Sequence, residues 1–162
     1  MSLAKDKNIK TNAVRIVERA KLNFEAINYE SDGFMEGTAI AQKLEQPFSQ
    51  TFKTLVTRGK PGDFFVFVVP VAEELDLKKA AKAIGEKSIE MLPVKDLLAT
   101  TGYIRGGCSP IGMKKQFKTV IHQSAKEYDK IMFSGGRLGT QLKMNPLDLS
   151  TLVNAEFADI TK

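Results

Sequence analysis

Hydrophobic positions recur along this chain in two rhythms that alternate from segment to segment. Between residues 11 and 20, Ala13, Ile16, Val17 and Ala20 fall at helical spacing, Arg15, Glu18 and Arg19 lie between them, and Thr11 supplies an N-capping oxygen. The pattern predicts a helix that packs rather than reacts. Phe24 to Glu30 then alternates as a strand does, ending at Tyr29 before the Ser31-Asp32-Gly33 break. A short helix is expected over Thr38 to Leu44, closed by Pro47.

Thr51 to Thr57 holds β-branched and aromatic residues without a breaker and predicts a strand. Period two puts Lys53, Leu55 and Thr57 on one face and Phe52, Thr54 and Val56 on the other. Both faces carry apolar residues, so the strand is expected to be central, and its lysine either snorkels from the strand end or is held in a partly buried site. Gly59 to Asp63 reads as a turn, and Phe64 to Pro70 as the returning strand of a hairpin. The continuous hydrophobicity of that strand implies burial on both faces, as in a barrel wrapped by helices. Asp76 caps an expected helix over Leu77 to Ile84 that Gly85 ends, Ser88 to Met91 resumes extended structure, and Pro93 opens a helix over Val94 to Thr100 with Gly102 just past it. Farther on, Phe117 to His122 and Lys130 to Ser134 read as strands and Ser134 to Gly139 as a glycine-dense loop. Leu142 to Met144 reads as a last short strand, and Asn145-Pro146 as the start of a helix to about Val153.

Composition narrows the class. At 162 residues the chain fits a single domain, residues 1–162, and 43% apolar content with ten Phe supports a real core. The single Cys108 excludes an internal disulfide, and with His122 the only histidine there is no zinc constellation, so neither metal nor cofactor is expected and a reducing cytoplasm is the expected home. Met1 to Lys10 carries three lysines with no apolar run after them, which speaks against a secretory signal, and the longest apolar run, Phe64 to Val71, is too short to cross a bilayer. A net charge of +5 favours a polyanionic partner, with Lys78, Lys79 and Lys82 forming one cluster and Lys114, Lys115 and Lys118 another.

Candidate chemistry centres on Gly106-Gly107-Cys108-Ser109-Pro110-Ile111-Gly112. Three glycines, a proline and a serine in seven residues make a shaped loop whose backbone can approach something else. Cys108 reads either as a nucleophile activated by neighbouring N–H groups or as a small residue filling the loop. His122 ends an apolar strand without a catalytic signature, and neither glycine loop matches a phosphate-binding or dinucleotide fingerprint. What remains is a strand-borne lysine, two glycine-rich loops and a basic surface. Such a set suits a substrate that already carries a reactive acyl group and a polyanionic handle, needing only a polarised carbonyl and positioning.

Phe52-Lys53-Thr54-Leu55-Val56, Leu75 to Ala83, Thr101-Gly102-Tyr103, Gly106 to Gly112 and Ser134-Gly135-Gly136, taken in order, resemble the YbaK (EbsC-like) Cys-tRNA(Pro) deacylases along nearly the whole chain. The resemblance implies an α+β fold with a mixed, barrel-like sheet flanked by helices, as in the editing domain of bacterial prolyl-tRNA synthetase. It implies hydrolysis in trans of cysteine mischarged on proline tRNA, in the cytoplasm, with aminoacylated tRNA as substrate, prolyl-tRNA synthetase as partner and no cofactor. By the same resemblance Lys53 is the essential site residue, acting with Gly106 and Gly107. Cys108, Ser109, Pro110, Ser134, Gly135, Gly136 and Gln141 then line the aminoacyl pocket, with Tyr29 at its mouth. Where some relatives carry Asp after the second glycine segment this chain has Gln141, and the position of Cys108 is hydrophobic in some relatives. Two other readings stand beside this one: an alanine-specific deacylase that activates water, and a non-catalytic module that binds aminoacyl-tRNA or a synthetase.

Overall fold

The computed structural model describes residues 10–162, so most of the Met1 to Lys10 segment lies outside the described residues. Helix α1 (Asn12–Arg19) begins at the expected cap, with the Thr11 side chain accepting from the Val14 N–H, and it buries Ala13, Val14 and Val17. Strand β1 (Phe24–Asn28) and helix α2 (Gly37–Lys43) follow, the helix starting one residue before the expected position. β2 (Phe52–Arg58) and β3 (Phe64–Pro70) form the expected antiparallel hairpin, with Lys53 opposite Val69.

The other cap signals also place their helices. Asp76 accepts from Lys78 N and Lys79 N at the start of α3 (Leu77–Ala83), and Gly102, in the left-handed region at φ 89°, ends α4 (Val94–Thr101). β4 (Glu90–Met91) lies between these helices, and β5 (Lys118–His122), β6 (Ile131–Arg137) and β7 (Thr140–Met144) follow. Asn145 then caps α5 (Pro146–Val153). A strand absent from the hydrophobic pattern, β8 (Glu156–Ala158), completes the order; at three residues it is too short to show a period.

Among the described residues the strands form two sheets, β1-β7-β6 and β4-β2-β3-β5-β8. β5 runs parallel to both β3 and β8 while the remaining ladders are antiparallel, so the sheet structure is mixed. The sheets do not close into a barrel; an isolated parallel bridge, Thr51 to Met132, joins them. The main core lies between them and under α1 and α5, where Phe52, Val68 and Ile121 of the larger sheet meet Phe133, Leu142 and Met144 of the smaller. A second core, with Phe67, Val69, Val120 and Ile160, sits under α3.

The Ser134 to Gly139 segment departs from the loop expected there. Ser134, Gly135 and Gly136 lie within β6, which ends at Arg137, the ladder slips between Ser134 and Arg137, and only Leu138-Gly139 turns the chain into β7. The glycine content marks a bulge in a strand, one of the few uses of glycine inside a sheet.

Candidate active site

Lys53, second residue of β2, projects into a cleft of about 230 Å³ beside the seam between the two sheets. Four walls surround it. β2 contributes Thr51 to Leu55; β6 and β7 contribute Ser134 and Gln141, which face each other across their ladder. Phe34 to Gly37 and Ile40, at the start of α2, form the third wall, and Arg105, Gly106 and Cys108 the fourth.

The polar groups of the cleft are only partly engaged. No side-chain hydrogen bond or ion pair holds Lys53 among the described residues, and Thr54 Oγ1 is buried without a partner. Ser134 Oγ accepts the Gly136 N–H at 3.2 Å, which leaves its proton to donate elsewhere. Gln141, only 4% exposed, donates from Nε2 to the Tyr29 hydroxyl at 3.4 Å. Tyr29 therefore stands beside Gln141 and outside the lining of the cleft. At the rim the Arg105 guanidinium lies 4.0 Å from the Phe34 ring centroid and 3.9 Å from Glu36 Oε1, tying the third wall to the fourth.

Cys108 is buried, and desolvation pushes its thiol up to about 12, against a side-chain hydrogen bond from Thr101 that acts the other way. At neutral pH almost none of it is thiolate, so of the two readings of this residue the small, inert wall is the one the surroundings support. His122 is engaged elsewhere. Its Nδ1 accepts the Ser124 N–H at 3.2 Å and its Nε2 stands 3.0 Å from Thr161 Oγ1, so it caps a short 3₁₀ turn and clasps the C-terminal segment. Among the described residues no three His, Cys, Asp or Glu side chains stand together as a metal cage.

The glycines of the first loop do something specific. A Cβ on Gly107 would stand 3.1 Å from Arg137 Cα and 3.3 Å from Leu138 N, and one on Gly106 would stand 2.7 Å from Leu138 Cδ2. The two glycine-rich segments thus touch almost backbone to backbone, and the missing side chains permit it. The Gly107 N–H is donated to Ile104 O at 2.9 Å, which shapes the loop. Ser109 is fully buried and its Oγ accepts from Ile111 N at 3.3 Å, while Gly135 packs against Thr140.

Of the residues singled out in the sequence, the structure brings Lys53, Gly106, Cys108, Ser134 and Gln141 to one cleft. Gly107, Ser109, Pro110, Gly135, Gly136 and Tyr29 stand outside the lining. Sequence reasoning missed Phe34, Met35, Glu36 and Arg105. Phe34 next to Gly33 and the arginine leading into the glycine loop were the available signals.

Comparison with known proteins shows the family. The aminoacyl-tRNA editing domain family matches residues 35–152. A protein of Enterococcus faecalis (strain ATCC 700802 / V583), provisionally named Cys-tRNA(Pro)/Cys-tRNA(Cys) deacylase EbsC, is 47% identical over 153 residues, covering 94% of this chain and 93% of its own. The proline–tRNA ligase of Thermosipho africanus (strain TCF52B) is 30% identical over 76 residues, 47% of this chain and 13% of the ligase. Among solved structures, one provisionally described as a trans-editing enzyme for prolyl tRNA synthetase superposes with a TM-score of 0.79 at 21% identity, covering 95% of this chain and 99% of the other, a likeness of fold. With most of its length matched by that family and a near full-length relative at almost half identity, the chain belongs to the aminoacyl-tRNA editing domain family.

Proposed function

We propose that residues 1–162 act as one trans-editing domain that removes cysteine esterified to proline tRNA, and by the same chemistry to cysteine tRNA, in the cytoplasm beside a prolyl-tRNA synthetase. The observation that carries the reading is a cleft with an unpaired lysine and neither a thiolate nor an imidazole base: the only cysteine is buried and neutral, and the only histidine is bonded elsewhere. A cysteinyl ester brings its nucleophile with it. The substrate thiol, a few per cent ionised at neutral pH, attacks its own carbonyl carbon. The new C–S bond forms as the C–O bond to the terminal ribose breaks, the ribose oxygen takes a proton, and water opens the cyclic thioester to free cysteine.

The protein supplies placement and charge. Lys53 sits where a cation stabilises the developing oxyanion or holds the ribose–phosphate end of the terminal nucleotide. The Ser134 hydroxyl has capacity to donate to the aminoacyl group. Gln141 replaces a charged contact to the substrate amino group with a neutral one. Gly106 and Gly107 give the loop its close approach to β6, and Cys108, Ser109 and Pro110 keep it packed.

Deacylation of cysteinyl, alanyl and seryl proline tRNA by the protein and by Lys53→Ala tests the reading. Rapid loss of the cysteinyl ester alone is expected, with Lys53→Ala slower by about 10²–10³-fold. Equal cleavage of seryl and cysteinyl esters would sink the thiol-assisted route, preferential cleavage of the alanyl ester would favour an activated water, and full activity in Lys53→Ala would remove the lysine from the site.

A further inference from the structure

Tyr103 does not line the cleft, yet it stands between the two segments that wall it. It is 8% exposed, and its hydroxyl donates to the Ile111 carbonyl, tying together the two ends of the loop that carries Arg105, Gly106 and Cys108. Cys108 packs in the same apolar cluster as the tyrosine ring. On the other side the ring meets β6, where a methyl on Gly136 would lie 3.3 Å from Tyr103 Cε1, while at the end of the loop one on Gly112 would lie 2.8 Å from the tyrosine oxygen. Both glycines hold positive φ, 101° and 83°, so each is shaped to pass the tyrosine.

The β6 bulge is braced from its far side as well. Thr11 Oγ1 donates to Gly135 O at 2.6 Å, and the Cβ atoms of Thr11 and Ala13 lie 3.5 Å from the position a Gly136 side chain would take. Helix α1 and the tyrosine ring therefore grip the bulge between them. Ser134, the residue this bulge presents to the cleft, is two positions away.

We propose that Tyr103 is a positioning residue that couples the loop 104–112 to the β6 bulge, so that Gly106 and Cys108 on one wall and Ser134 on the other keep a fixed spacing. Its catalytic consequence rests on the editing reading above: an intramolecular attack is sensitive to placement, and a misplacement of about 1 Å costs on the order of 10²-fold. Burial pushes the phenol up to about 12, so the hydroxyl remains a hydrogen-bond donor through the neutral and mildly alkaline range.

Tyr103→Phe keeps the ring and removes only the bond to Ile111. Amide hydrogen exchange is expected to quicken by about tenfold or more at both 106–108 and 134–136, with the β2–β3 ladder unchanged. On the cysteinyl ester kcat per folded molecule falls about 10-fold to 100-fold while KM stays within about twofold, and the thermal midpoint drops by only about 5 °C. Gly136→Ala instead presses on the ring from β6 and is expected to quicken exchange at 106–108 too. Unchanged exchange, or a change confined to the mutated segment in both variants, overturns the coupling. Wild-type kcat in Tyr103→Phe, or a rise in KM alone, overturns the positioning role. A wild type that cleaves none of the three esters removes the editing reading and the catalytic half of this proposal with it, and the exchange result then upholds or overturns the coupling by itself.

Discussion

Cys108 shows how strongly surroundings decide the chemistry of a side chain. A thiol that follows two glycines in a loop invites a nucleophilic reading, but the folded loop turns it into a buried wall next to Thr101 and Tyr103. Cys108→Ala is expected to slow cysteinyl-ester cleavage by less than about tenfold, through a wider cleft, where loss of a nucleophile costs about 10³-fold or more. The same burial has a consequence for pH. Cys108 and Tyr103 are both raised, from 9.0 and 10.0 to about 12, so the folded chain holds two protons that the unfolded chain gives up. Their contribution is fully present below about pH 9 and is lost as pH rises through the range up to 12. Thermal unfolding followed from pH 8 to 11 should show a midpoint that falls above pH 9, each group contributing up to about 1.4 kcal/mol per pH unit once its unfolded form ionises. Tyr103→Phe should flatten the steeper part of that fall above pH 10, and an unchanged profile would count against its burial as the cause.

Elements were legible where the chain carries its own punctuation. Thr11, Asp76 and Asn145 sit at the caps their chemistry suggests, and Gly102 ends α4 in the left-handed conformation a glycine is suited to. The β2–β3 hairpin followed from composition and a Gly-Lys-Pro-Gly-Asp turn. Tertiary pairing was not legible: the glycine run in β6 looks like a loop until β7 is placed beside it, and β8 is a strand only because β5 offers an edge. Nor could a local pattern show that Tyr29 meets Gln141, or that Gly107 faces Arg137, since these contacts link residues far apart in the chain. Two substitutions separate caps from cleft walls. Asn145→Ala removes an oxygen that accepts from Leu147 N and Asp148 N, and should cost about 1 kcal/mol in denaturant titrations without altering turnover per folded molecule. Gly37→Ala would place a methyl 2.5 Å from Val71 Cγ1 inside the cleft wall, and should cost about 1–3 kcal/mol and lower turnover as well.

At the scale of the whole molecule, charge and architecture act separately. No helix among the described residues is long and apolar enough to cross a membrane. A net charge of +5 is modest for a nucleic-acid binder. Contact with about two phosphates would weaken tRNA binding roughly tenfold between 50 and 200 mM salt. Binding titrations across that range check this, and a much steeper dependence would point to a larger electrostatic footprint than the chain's charge suggests.

The bridge from Thr51 to Met132 is the ladder contact between the two sheets among the described residues, and the residues next to it, Phe52 and Lys53, line the cleft. In mechanical terms the molecule is two plates bonded across a packed core and pinned at one edge by this bridge, with the working gap beside the pin. A rotation about that pin would have to shear the core in which Phe52, Val68 and Ile121 meet Phe133 and Leu142, so the space around Lys53 is held at one width.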